Sequence, residues 1–193
     1  QCSLFPFNEK SKVYAYEPVE RVLEKLEYNN QINGYDIHCS SYAISNKNGK
    51  AFFYDIPDEE HMTAVSVNYN PNTPETPVIK RDIETITLDT IVEKENIEQI
   101  DLIKIDVEFH SSEVIEGYLK YIEIHRPNII IEILNDEIGR KVQALIQGMN
   151  YLYFNIDENL GVRKVDKILK SDTVNYLICS KEVAVNLGLI KDE

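Results

Sequence analysis

Ile100-Asp101-Leu102-Ile103-Lys104-Ile105-Asp106-Val107-Glu108 is the stretch that decides how this chain is read. Apolar residues crowd Ile100 to Val107 densely enough to predict a strand covered on both faces, as in a parallel sheet flanked by helices. In open sheets of that kind, ligands bind just beyond the carboxyl ends of the strands. Asp106 and Glu108 fall at that edge. Side chains two apart on a strand share a face, so the alternation aims both carboxylates the same way. Two readings of the pair stand: functional carboxylates at a ligand edge, or solvated acids that cap the next helix.

Outward from this run, strands and helices alternate. On the N-terminal side, Lys12 to Tyr16 is a short β-rich run, and Val19 to Tyr28 follows with Val19, Val22, Leu23 and Leu26 at helical spacing. Asn29, Asn30, Asn33 and Gly34 punctuate the chain before a second extended run, Tyr35 to Ser45. Asn46 to Gly49 reads as a tight turn, with Lys50 to Tyr54 as the returning strand of a hairpin. Pro57 to Pro77 carries four prolines and no sustained period, which predicts a long irregular connection able to lie over a site. Asp82 to Thr87 is then a strand and Leu88 to Glu95 a short helix.

On the C-terminal side, Ser111 or Ser112 is placed to cap a helix from Glu113 to His125, whose Val114, Ile115, Tyr118, Leu119 and Ile122 form one apolar face. Pro127 ends it. Asn128 to Leu134 is a continuous apolar run broken only by Glu132, and Asp136 to Gln147 is again helical, with Gly148 at its end. Tyr151 to Ile156 and Asn175 to Cys179 read as two final strands joined by a polar connection containing Gly161. With no internal repeat and no composition shift, residues 1–193 are expected to form a single domain. The order, βα units first and antiparallel strands last, predicts an α/β Rossmann-like open sheet, mostly parallel with an antiparallel last strand.

Composition narrows the partners. The 33 acidic and 20 basic residues give a net charge of -13, which repels nucleic-acid phosphates and anionic membrane surfaces. Cys2, Cys39 and Cys179 are few, odd in number and widely spaced, which points away from a disulfide framework and a zinc site and toward a reducing cytoplasm. No apolar run approaches the roughly 20 residues needed to span a bilayer. His38, His61 and His125 show neither metal-ligand spacing nor mutual pairing, so no metal site is predicted.

Glu17 is a further candidate. It follows the first strand and precedes Pro18, a residue suited to the first turn of a helix. An acid at such a strand end in a nucleotide-binding sheet can accept hydrogen bonds from both ribose hydroxyls. An acid favouring the positive end of a helix dipole is the other reading.

Taken together, Tyr14-Ala-Tyr-Glu-Pro18, Ala43-Ile-Ser45 with Asn48-Gly49-Lys50, Thr87-Leu-Asp-Thr90, Asp101 to Glu108, Glu113-Val-Ile-Glu-Gly117, and Arg126-Pro127 leading to Glu132 resemble the FkbM family of S-adenosylmethionine-dependent methyltransferases in content and order. The likeness spans roughly Val13 to Leu134. It implies a class I methyltransferase fold, S-adenosylmethionine as cofactor, and methyl transfer to oxygen, with a small-molecule or glycan acceptor such as a sugar or natural-product hydroxyl. Carried over by position, Glu17 and Pro18 would lie at the ribose of the cofactor. Asp106 and Glu108 would line the methyl-transfer end of the cleft, with Asp106 close to the cofactor, and Glu132 would close its far side. His110, two residues past Glu108, is a candidate base with a pKa near neutrality, or an ordinary loop histidine.

The chain departs from the family pattern twice. After the Asp-Val-Glu triplet the family has a glycine and then another acid, whereas this chain reads Phe109-His110-Ser111. The glycine-rich loop after the first strand is also absent, and Gln1 to Phe5 reads as the start of the helix that would follow it. That reading predicts a fragment lacking the first strand of its sheet. Besides an active O-methyltransferase, the departures favour a non-catalytic cofactor-binding relative. A dinucleotide-dependent oxidoreductase using the same ribose contact is the third alternative.

Overall fold

Residues 11–55 and 79–192 are described by the computed structural model, and the chain divides into two compact units, 1–43 and 44–193. The Pro57 to Pro77 connection, His61 and the helix start expected at Gln1 to Phe5 lie outside the described residues.

The first unit contains a βα crossover. β1 (Val13–Tyr16) pairs in parallel with β2 (Ile37–Ser40), and α1 (Glu20–Asn33) connects them. Val22, Leu23 and Leu26 form the half-buried face of α1, as the spacing predicts. The helix does not stop at Tyr28, however, but runs on through three asparagines to Asn33. The Asn30 side chain compensates for its weak helix propensity by donating to the Ile37 carbonyl at 3.0 Å and accepting from the Ile37 N–H at 3.3 Å. Gly34 then ends the helix in the left-handed region, at φ 66°. His38 stacks on its cross-strand partner Tyr14, with ring centroids 5.0 Å apart.

The second unit opens with a three-stranded sheet in the order β3 (Ala43–Ile44), β5 (Ile79–Ile86), β4 (Gly49–Asp55). The expected hairpin is therefore corrected, because β4 pairs antiparallel with β5 and not with the strand that precedes it. Asn48 gives the reason. Its side chain accepts from the Thr87 N–H at 2.9 Å and donates to Thr90 Oγ1 at 2.8 Å, anchoring the turn to the start of α2 (Leu88–Lys94).

The larger sheet runs in the order β6 (Leu102–Ile105), β7 (Asn128–Glu132), β10 (Asn175–Cys179), β8 (Leu152–Asp157), β9 (Gly161–Val165). It is mixed and not mostly parallel: β6 and β7 are parallel, while β10 is antiparallel to both its neighbours and β9 to β8. The antiparallel last strand is present as β10. The departure comes from β10 lying antiparallel between β7 and β8, and from β9, a hairpin partner of β8 hidden in a connection too polar to read as a strand. β6 also differs from expectation. Ile105 is buried, but Leu102 is 57% exposed and Lys104 is exposed as well, so one face is covered and not two. Among the described residues β6 is the outer strand, where one-faced alternation replaces the two-faced burial of a central parallel strand.

Between β6 and β7 the predicted single helix is two, α3 (Ser111–Glu116) and α4 (Leu119–His125), parted at Gly117. Neither serine caps α3 through its side chain: Ser111 Oγ donates to the Glu132 carbonyl at 3.2 Å and Ser112 Oγ to Glu113 Oε2 at 2.8 Å. α5 (Asp136–Leu145) follows β7, capped by Asn135, which accepts from the Ile138 N–H at 2.9 Å. A short helix not anticipated from sequence, α6 (Lys181–Asn186), follows β10 and is capped by Ser180. Ile115, Ile122, Ile129, Ile131, Val142, Phe154 and Ile178 are wholly buried and make the core of this unit. His125 is buried with Tyr118, whose hydroxyl lies 2.8 Å from Nδ1, a structural role for that histidine. Among the described residues no helix is long and apolar enough to cross a membrane.

Candidate functional site

Parallel pairing builds the site. The register of β6 on β7 closes at Ile105 opposite Ile131, so Asp106 and Glu132 are the next residues on two adjacent strands. Their carboxyl groups emerge together where the strands end. Asp106 is 60% exposed and holds Lys104 Nζ at 2.7 Å, a neighbour two residues back on the same face. The sequence reading gave Lys104 no role, although the same alternation that placed Asp106 places it too.

Glu108 joins this pair by a different route from the one expected. β6 stops at Ile105, and Glu108 begins a 3₁₀ turn (Glu108–His110) with φ at 54°, left-handed backbone on a residue with a side chain. Strand alternation therefore does not orient it. The turn does, and backbone of this kind is uncommon outside glycine and concentrates at functional sites. Burial pushes the Glu108 carboxyl above its ordinary range, and the Asp106 charge adds to the shift. Burial also raises Glu132, followed by the charges of Asp106 and Glu108, while Lys104 pulls the other way. One oxygen of Glu132, Oε2, is buried without a hydrogen-bond partner. Three carboxylates against one lysine make a negative sheet edge suited to a cation.

The raised carboxyls couple this edge to folding. An acid whose pKa is higher in the folded state stabilises the protein below its unfolded value, here 4.5, and that contribution is lost as pH rises through the folded value. Glu132→Gln removes one of the crowded charges. Its melting temperature should exceed that of wild type at pH 7 and match it at pH 4. Thermal melts at the two pH values measure this, and a variant less stable than wild type at pH 7 would contradict it.

His110 closes the 3₁₀ turn. Its Nε2 lies 3.0 Å from Ser45 Oγ, and its Nδ1 stands 3.8 Å from Glu113 Oε2. Burial lowers its pKa and Glu113 partly restores it. Ser45 and Glu113, quoted from sequence only as motif residues with no role at His110, thus flank the two ring nitrogens, Ser45 within hydrogen-bond reach and Glu113 beyond it. Beside the turn a cleft of about 250 Å³ opens between Phe109, Ser112 and Glu113 on one side and Asn135, Glu137 and Lys141 on the other. Among the described residues no group of three or more His, Cys, Asp or Glu is placed to hold a metal ion.

Glu17 belongs to the first unit. It leaves the end of β1 with its N–H bonded to the Ser40 carbonyl at 2.9 Å, and its Oε1 accepts from the Val19 N–H at 2.8 Å. Burial raises its pKa, with the Val19 N–H and Arg21 acting in the opposite sense. Pro18 lies before Val19, the residue flanking the helix start, and so outside the first turn.

The model of the methyltransferase FkbM domain matches residues 4–164 of this chain. The chain belongs to the FkbM methyltransferase family. A solved structure, the methyltransferase FkbM from Methylobacillus flagellatus KT, is similar at 13% identity with a TM-score of 0.42, covering 86% of this chain and 36% of that one. This FkbM chain thus spans little more than a third of that relative. No curated protein matches it. Within the FkbM domain, the family match includes Glu17, Asp106, Glu108, His110 and Glu132 and runs across both compact units.

Proposed function

We propose that this FkbM domain is an S-adenosylmethionine-dependent methyltransferase acting on a hydroxyl of a sugar or natural-product acceptor. The convergence of Asp106, Glu108 and Glu132 at the carboxyl ends of β6 and β7 carries the reading. The cofactor supplies a methyl group activated by a sulfonium cation. A carboxylate cluster only partly compensated by Lys104, with a buried oxygen lacking a partner at Glu132, fits that cation electrostatically.

The carboxylates divide the remaining work. Asp106, exposed and paired to Lys104, contributes charge that aligns the reacting groups. Glu108 and Glu132, with pKa values raised above the ordinary carboxylate range, are better matched than ordinary carboxylates to accept the acceptor's hydroxyl proton. His110 is another candidate base, already oriented by Ser45. Glu17 would hold the ribose hydroxyls, and one of its oxygens is already fixed by the Val19 N–H. The family match running across both units supports one methyltransferase domain.

A non-catalytic, cofactor-binding relative is the second reading, favoured by Phe109 where the family pattern has glycine. Calorimetry with S-adenosylhomocysteine, followed by transfer of labelled methyl from S-adenosylmethionine to a panel of hydroxyl acceptors, separates the two. Binding without turnover on any acceptor supports the non-catalytic relative, and absence of binding overturns both. In the same titration Glu17→Ala should weaken cofactor binding by about 1.5 to 3 kcal/mol, the range for a hydrogen bond to a charged group. Unchanged affinity would remove Glu17 from the site.

A further inference from the structure

Phe109 is the side chain the proposed chemistry does not use. It stands in the 3₁₀ turn directly after Glu108, 39% exposed, and lines the cleft between α3 and α5. That cleft lies one residue beyond Glu108 on one side and begins three residues beyond Glu132, at Asn135, on the other. At about 250 Å³ it is smaller than the roughly 300 to 1,000 Å³ of pockets for drug-sized ligands, and suits a single ring.

Its chemistry is selective. Lys141 pairs with Glu137 at 3.0 Å and also feels the charge of Glu113, so two carboxylates share one lysine and the cleft keeps a net negative charge. Glu113 Oε2 takes the Ser112 hydroxyl at 2.8 Å and faces His110 Nδ1 at 3.8 Å, a ring that burial holds toward its neutral form. A neutral ligand would leave the net negative charge of the cleft only partly compensated, and an acidic one would be repelled. An ammonium group would complement it, and the Phe109 ring offers an apolar face to the C–H face of a ring.

We propose that Phe109 and Glu113, with Glu137 at the rim, form an acceptor subsite for an amine-bearing, hydroxyl-rich ring of the amino-sugar class. The subsite rests on the methyltransferase reading for its role as an acceptor site, but binding does not depend on turnover. Methyl glucosaminide, its N-acetyl derivative and methyl glucoside are titrated calorimetrically into the full chain at pH 7. The glucosaminide should bind about ten- to a hundredfold more tightly than the other two, the factor expected of one charged hydrogen bond. Glu113→Gln should level the three affinities, and Phe109→Ala should weaken all of them. Equal affinities in wild type, no binding of the glucosaminide, or selectivity that survives Glu113→Gln would each overturn the subsite. S-adenosylhomocysteine is titrated into the same samples. Cofactor binding without amine selectivity sinks the subsite alone, whereas amine selectivity without cofactor binding upholds the subsite and sinks the methyltransferase reading.

Discussion

Asp106→Asn should lower methyl-transfer turnover by roughly ten- to a thousandfold, the scale on which one positioned acid-base or electrostatic group contributes. The substitution keeps shape and removes charge. Because Asp106 is exposed and its ion pair with Lys104 lies at the surface, stability should change by less than about 1 kcal/mol. A second effect distinguishes a charge acting in the cluster from a merely structural side chain. Asp106 raises the pKa of both Glu108 and Glu132, so its loss should move the acidic limb of the pH–rate profile to lower pH. The measurements are labelled-methyl transfer across pH 5 to 9 and circular dichroism to confirm folding. Equal turnover in a folded variant would exclude Asp106 from the chemistry.

Gly117→Ala should be strongly destabilising in the second unit. The backbone at Gly117 has φ −72° and ψ 3°, which alanine adopts without strain, so the cost is one of space. An added Cβ would meet the Ser45 carbonyl oxygen at 2.1 Å and the Asn46 Cα at 3.3 Å, backbone atoms with no rotamer to yield. Both neighbours are tied down: the Ser45 N–H donates to the Ile86 carbonyl at 3.0 Å, and Asn46 Nδ2 donates to Glu116 Oε2 at 2.8 Å. Overpacking of this kind costs about 3 kcal/mol, a large part of the ~5 to 15 kcal/mol that holds a domain folded. In a chain of this length the melting temperature should fall by roughly 6 to 12 °C. Urea unfolding should show a lower midpoint at unchanged slope. A variant within about 0.5 kcal/mol of wild type would mean that the Ser45–Asn46 backbone moves freely. Such movement would also release His110 from its Ser45 contact.

Helical periodicity and breakers made much of the fold legible. The spacing of Val22, Leu23 and Leu26 predicted the half-buried face of α1, and the apolar run at Asn128 predicted β7 with Ile129 and Ile131 in the core. What escaped was set by side chains that reach across the chain. Asn48 bonds to Thr87 and Thr90 and so redirects β4 onto β5, and Asn30 carries α1 past its expected end by bonding to Ile37. β9 escaped because it lies on an exposed edge, where Arg163 and Lys164 erase the apolar alternation that marks a strand.

The candidate site divides along the same line. By itself the sequence determined the family and marked the carboxylates Glu17, Asp106, Glu108 and Glu132 as candidates, because local order along the chain suffices to mark strand ends and motif spacing. Only the tertiary structure decided which groups act on one another. Parallel register sets Glu132 beside Asp106, a left-handed turn at Glu108 replaces strand alternation, and Ser45 reaches His110 across 65 positions of sequence. Lys104, Glu113 and the cleft at Phe109 join the site for the same reason. Their proximity arises from strand pairing and helix packing, and pKa shifts and pockets follow from distances through space that no local pattern records.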